Sequence, residues 1–291
     1  MKKLEKLAKA YRVDDGQRFR LKDFDPADHG GLHSEEHAAA ALQKGIDQLR
    51  DLQDKLYAQD RWALLLVFQG MDAAGKDGII KHVMSGVNPE GCQVYSFKQP
   101  STEELNHDYL WRCQRQLPER GRIGIFNRSY YEEVLVVRVH PELLQQQRIP
   151  PSLTGKKIWE QRFEDICGLE RYLSQNGIVV RKFFLNLSKK EQASRFLARL
   201  DEPEKNWKFS ASDIHEREFW HDYQQAYEDV IRNTATAAAP WYVVPADHKW
   251  FSRLVVASAI VETLEDLKLS YPKVDAAKRK ELAEARQLLE K

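Results

Sequence analysis

Ala63-Leu-Leu-Leu-Val-Phe-Gln-Gly70-Met-Asp-Ala-Ala-Gly75-Lys76-Asp77-Gly78 is the stretch whose reading decides the fold. An unbroken apolar run of strand length, closed by Gln69, is how a buried strand of a parallel sheet reads. Beyond it, Gly70-x-x-x-x-Gly75-Lys76 has P-loop spacing, in which glycines let successive backbone N–H groups turn inward onto phosphate oxygens. A helix beginning near Lys76 adds its N-terminal dipole, and the Lys76 ammonium reaches the outer phosphates. The hydroxyl residue that usually follows the lysine and holds Mg²⁺ is replaced by Asp77, and a second acid, Asp72, stands between the glycines. A carboxylate repels bare phosphate, so Asp72 fits there only if it faces a divalent ion or a cationic partner. The plain alternative is a glycine-rich turn with no ligand, against which stand the strand before it and the helical pattern after it.

Working outward, strands alternate with helices. Further strands read at Gln93–Phe97, Arg122–Phe126, Ile178–Leu185 and Trp241–Val244. Helices are expected from Ser34, its capping residue, through Leu56, after the loop to about Ser85, and over Glu103–Gln116, Lys156–Gln175, Ser188–Leu200, Ser212–Arg232 and Lys249–Leu267. Residues 1–31 read as an irregular surface arm, and 273–291 as a solvated charged helix. The alternation predicts an α/β fold, a parallel sheet covered on both faces, with its site at the carboxyl ends of the strands. The organisation expected is an arm and helix over 1–60, a core over 61–272 and the charged tail.

Composition narrows the classes. The chain has 291 residues, 42% of them apolar, and 45 Lys and Arg against 44 Asp and Glu, a net charge of +1. That suffices for a large core and leaves no global basic field of the kind that marks a general nucleic-acid binder. Cys92, Cys113 and Cys167 follow no metal-ligand spacing and read as reduced thiols, and no run approaches the ~20 apolar residues of a membrane span. A soluble cytoplasmic protein without nucleic-acid or membrane partners is expected.

Two further stretches carry candidate chemistry. The strand ending in Phe126-Asn127-Arg128-Ser-Tyr-Tyr-Glu-Glu133 has Asn127 where P-loop enzymes place a metal-holding acid, and Arg128 beyond it offers a planar fork for phosphate. Arg195 and Arg199, four apart on one helix face, precede Lys205, Trp207 and Lys208 in an aperiodic piece. That is the composition of a mobile lid over about 188–213 that closes on the phosphates. Lys81, His82, Lys98, Arg112, Arg115 and Arg138 together could line a groove for a long anion. Trp207, Trp220, Tyr223 and Tyr227 offer rings to a base, although the last three have core spacing.

G-M-D-A-A-G-K-D-G, F-N-R-S-Y-Y-E-E and S-K-K-E-Q-A-S-R-F-x-x-R followed by D-x-P-x-K-x-W-K-F-S resemble the second family of polyphosphate kinases, over about Phe24 to Tyr271. The resemblance implies a thymidylate-kinase-like, three-layer αβα P-loop kinase with a helical lid. It implies transfer of the terminal phosphate of inorganic polyphosphate to a nucleotide with Mg²⁺ or Mn²⁺, and a homo-oligomer, a tetramer. Asp72 and Lys76 would act in the Walker A loop, Asn127 and Arg128 in the Walker B place, and Arg195 with Arg199 in the lid. Asp72 and Asn127 would face the metal. Gly70, Met71, Ala73, Ala74, Gly75, Asp77 and Gly78 would cradle phosphate. Lys81, Lys98, Glu133, Arg138, Lys205 and Lys208 complete the expected binding set. Many relatives have Asp where this chain has Asn127. Asn there resembles the branch that phosphorylates both AMP and ADP, so AMP, ADP and ATP are the nucleotides expected. The rivals are an ATP-dependent nucleotide or nucleoside kinase and a P-loop module that senses nucleotide without turnover.

Overall fold

The computed structural model describes residues 7–32 and 35–290; Ser34, the expected cap of the first helix, lies outside them. Six strands, β1 (Arg12–Val13), β2 (Ala63–Gln69), β3 (Cys92–Ser96), β4 (Ile123–Asn127), β5 (Ile178–Asn186) and β6 (Trp241–Pro245), form one sheet. Its order is β1-β6-β5-β2-β4-β3, parallel throughout except for the β1–β6 pair. Every residue of β2 is buried, as its lack of alternation requires.

The helices of eight residues or more are α1 (Glu35–Gln59), α2 (Lys76–Val83), α3 (Ile158–Gln175), α4 (Lys189–Asp201), α5 (Trp220–Thr234), α6 (Lys249–Asp266) and α7 (Ala276–Leu289). α1 and α2 pack on α6 over one sheet face, while α3 and α5 pack together over the other. The result is three layers with an apolar core on each side of the sheet. Leu49 and Leu56 of α1 are fully buried, which explains that helix's three- and four-residue apolar steps. α7 buries none of its residues and is the solvated helix expected, capped by Asp275, whose carboxylate accepts from Lys278 N–H.

Three expectations are corrected. The arm is not wholly irregular, because Arg12 and Val13 pair antiparallel with Tyr242 and Trp241. A helix over Glu103–Gln116 does not form: a 3₁₀ turn, Glu104–Asn106, is followed by extended His107, and helix returns only at Trp111–Gln114. Asp108 accepts from Leu110 N–H, a local alternative to helical pairing in the middle of the segment. The helix expected over Ser212–Arg232 is broken by a 3₁₀ turn at Arg217–Phe219, where Arg217 reaches back to Lys189 O and Gln192.

Chain order positions the site. From central β2 the chain runs outward to β3, returns through β4, then crosses β2 to reach β5 and β6. The phosphate loop therefore lies at the crevice where connections leave in opposite directions. Register brings Phe68 level with Asn127 on one side and Phe183 on the other, so the ends of β2 and β4 share one rim.

Candidate active site

Gly75, at φ 102°, turns the chain into α2, whose first-turn amides, Lys76 to Gly78, have no intrahelical acceptor. Ala73 sits at φ 63°, as does Arg128 at the end of β4, left-handed conformations that only a well-braced loop retains in residues other than glycine. The loop, Asn127, Arg128, Arg199, Lys205 and Lys208 converge on a cleft of about 730 Å³.

The cationic side chains differ in what they have left to offer. Lys76 is buried, and its Nζ donates to Gly70 O at 2.6 Å and Met71 O at 3.4 Å, leaving one of its three N–H groups for a ligand. Burial, with Arg128 adding to it, lowers its pKa to about 8 against the pull of Asp72, Glu132 and Asp77. Arg128 donates to Asp72 Oδ1 at 2.8 Å and Glu132 Oε2 at 3.3 Å, so Asp72 does face a cationic partner. Among the described residues Arg199 hydrogen-bonds through Nη1 alone, to Lys208 O and Asp213 Oδ2. Arg195, by contrast, is buried and hydrogen-bonded to the loop backbone.

Asn127 Nδ2 donates to Asp77 Oδ1 at 2.5 Å, which leaves the amide oxygen of Asn127 as an acceptor unengaged among the described residues. Asp77 and Asn127 thus present hard oxygens beside the loop amides. Among the described residues no three His, Cys, Asp or Glu side chains converge, so there is no all-protein metal cage. A small divalent ion that keeps waters and takes one or two protein oxygens plus phosphate oxygens fits this donor set.

A second cavity of about 400 Å³ adjoins the first and shares Lys98 and Arg128 with it. Arg112 stands at that shared end, donating to Lys98 O at 2.6 Å, and Val136, Val137 and Leu143 give an apolar wall. Glu133 lies buried in the wall, accepting from Gln147 and Arg162 at 2.7 Å each. Burial raises its carboxyl pKa and Arg162 opposes the rise.

Four expected binders, Gly70, Met71, Lys81 and Arg138, line neither cavity. Gly70 and Met71 instead give their carbonyls to Lys76 Nζ, Arg138 is tied to Asp229 of α5 at 2.6 Å, and Lys81 is exposed on α2, whose cleft-lining residues are Lys76 to Ile79 and His82. Trp220, Tyr223 and Tyr227 are core, while Trp207 is exposed on the segment after α4. Lys249 and Arg253, on the first turns of α6, line the cleft and were not singled out from sequence. Two cations four apart directly after the last strand are the signal that marks them.

A parallel sheet, a P-loop at its crevice and an arginine at the neighbouring strand end define a P-loop phosphotransferase. The family model described as Polyphosphate kinase 2 (PPK2) matches residues 32–272, and the chain belongs to that family. It is 54% identical to an ADP-polyphosphate phosphotransferase of Rhodopseudomonas palustris, over 97% of this chain and 98% of that protein. It is 45% identical to an AMP/ADP-polyphosphate phosphotransferase of Meiothermus ruber, over 94% and 98%. The crystal structure of polyphosphate kinase 2 from Arthrobacter aurescens TC1 superposes with a TM-score of 0.86 at 39% identity, covering 95% of this chain and 96% of that one.

Proposed function

We propose that this chain moves the terminal phosphate of inorganic polyphosphate onto AMP or ADP, with the donor in the larger cleft and the acceptor nucleotide in the smaller cavity. One observation carries the reading: nine Lys and Arg side chains line the cleft against two carboxylates, Asp72 and Asp77. Among the described residues no Trp or Tyr lines it and its one Phe, Phe97, is buried, so the cleft suits an extended polyanion better than a donor with a base to stack. The apolar wall of the smaller cavity gives a base somewhere to lie, and Arg112, Lys98 and Arg128 draw the acceptor phosphate to the junction.

The chemistry is in-line transfer. The free N–H of Lys76 and the loop amides neutralise the donor chain, while Lys98 and Arg128 orient the two phosphates against each other. Arg199 adds charge stabilisation from the lid segment. The attacking acceptor oxygen is already anionic at neutral pH, so no side-chain base is required. Mg²⁺ or Mn²⁺ would be held by Asp77 and Asn127, where its charge would offset that of the transferring group. A homo-oligomer is part of the same proposal.

Phosphorus NMR of the purified chain with Mg²⁺, AMP and long-chain polyphosphate, and no ATP, tests it. New nucleotide anhydride signals are expected. A requirement for ATP would replace the proposal with an ATP-dependent kinase, and retained binding without turnover would replace it with a sensing module.

A further inference from the structure

Arg195 has five N–H groups and all five are engaged. Nε donates to Glu191 at 2.9 Å, Nη1 to Ala73 O and Ala74 O at 3.0 and 3.1 Å, and Nη2 to Ala246 O and Asp247 O at 2.5 and 3.1 Å. A guanidinium has no other donors, so a phosphate oxygen gains a bond from Arg195 only by displacing one of these. One turn earlier on α4, Gln192 Nε2 donates to Asp72 O at 2.9 Å. Three successive loop carbonyls are therefore held by one helix.

Across a planar trans peptide the carbonyl of one residue and the N–H of the next point in opposite directions, and no peptide bond among the described residues is cis. Carbonyls drawn toward α4 turn the N–H groups of Ala73 and Gly75 away from it. The intervening Ala74 N–H is closed onto Met71 O at 3.1 Å. Ala73, with its left-handed φ, lies between two of the clamped peptides, which explains how that conformation persists.

We propose that Arg195, seconded by Gln192, is a positioning residue that aims the loop amides at the donor and does not itself touch the transferring phosphate. Its other edge, on Ala246 and Asp247 beyond β6, fixes the first half of α4 to the sheet's rim. Closure over the cleft is then left to the chain from Arg199 onward. The affinity part of this inference rests on the donor reading above; the exchange part does not.

Amide hydrogen exchange of the whole, ligand-free protein tests it, with Arg195→Lys, Gln192→Ala and Arg199→Ala compared. Peptides spanning residues 70–76 are expected to exchange at least about tenfold faster in the first two variants, since each loses one or more bonds that hold the loop closed, and at the native rate in the third. Tripolyphosphate binding should weaken about tenfold or more in the same two variants, while the KM for ADP stays within about twofold. A general loss of structure would move both ligands. Should Arg195→Lys not fold, Gln192→Ala alone supplies the comparison. Native exchange in Arg195→Lys together with a collapsed kcat would overturn the inference, because the guanidinium would then be acting on the phosphate. Faster exchange with undiminished tripolyphosphate affinity would overturn it equally. If the unaltered protein fails to bind tripolyphosphate, the donor reading falls and the exchange rates alone decide the role of Arg195.

Discussion

Replacing Lys76 by methionine separates a charge that serves the reaction from one that serves the fold. The ammonium is buried at the floor of the cleft, and its pKa falls from the ordinary 10.5 to about 8, burial being the largest cause. A lysine whose folded pKa is depressed opposes folding below that pKa, and at pH 7 the opposition is on the order of 3 kcal/mol. Methionine removes it. Methionine also removes two hydrogen bonds to Gly70 O and Met71 O, each worth about 1.5–3 kcal/mol for a charged donor. The two effects largely offset, leaving a net loss between about zero and 3 kcal/mol, so the melting temperature should fall by less than about 10 °C. Catalysis has no such offset, because deleting one preorganised contact to transition-state charge costs roughly 10²–10³ in rate. Thermal melts alongside phosphorus-NMR rates on polyphosphate and ADP check both halves. A melting temperature lowered by 10 °C or more (~3 kcal/mol or above) would make Lys76 a structural residue, and a rate reduced less than about tenfold would take its charge away from the phosphate.

The pH profile follows from the same group: donor binding needs Lys76 protonated, so kcat/KM for polyphosphate should hold below about 8 and fall as pH rises through it. The profile of kcat should break at higher pH, since bound phosphate favours the ammonium, and Lys76→Met should abolish the difference. Lys249→Ala and Arg253→Ala should each raise the KM for long polyphosphate about tenfold, by loss of one charge contact, with the KM for ADP unmoved in steady-state assays. Lys182, fully buried in β5, donates to Glu170 at 2.6 Å, Tyr131 Oη and Thr234 O. Lys182→Met should cost about 3–5 kcal/mol in denaturant melts by stranding the Glu170 charge, and removing both charges should restore much of it.

Much of the fold was legible because parallel strands announce themselves. β2, β4 and β6 are apolar runs of the right length, β5 is one interrupted by Arg181 and Lys182, and the alternation with helices leaves one common sheet type. What escaped notice depends on tertiary context. β1 is two residues long and exists only because β6 offers it an edge. The residues from Glu103 to Gln116 include good helix formers, yet Asn106-His107-Asp108 offers the backbone local bonds that end the first turn. Arg195 and Arg199 illustrate the limit at the site. Their four-residue spacing puts both on one face of α4, and sequence treats them alike. Burial, set by the loops that meet above α4, engages every donor of one and leaves the other at the cleft with Nε and Nη2 unengaged among the described residues.

Two departures from the usual P-loop pattern look unrelated in sequence and become one feature in space. The position after Lys76 has gained a carboxylate and the end of β4 has lost one, and Asn127 Nδ2 donates to Asp77 Oδ1 at 2.5 Å. Had β4 ended in Asp with Asp77 retained, two like charges would face each other at hydrogen-bonding distance and one would be forced to protonate. Had Asp77 been a hydroxyl residue with Asn127 retained, no carboxylate would remain for a cation except Asp72, whose Oδ1 already accepts from Arg128. The exchange therefore keeps beside the loop amides one carboxylate with no ion-pair partner among the described residues and moves it from strand to helix. There it sits at the exposed start of α2, and the amide left at Asn127 adds no second negative charge to the cleft the two residues share. The rim thereby carries one carboxylate held by a neutral amide, where a pair of acids would stand in mutual repulsion beside the phosphate-facing amides.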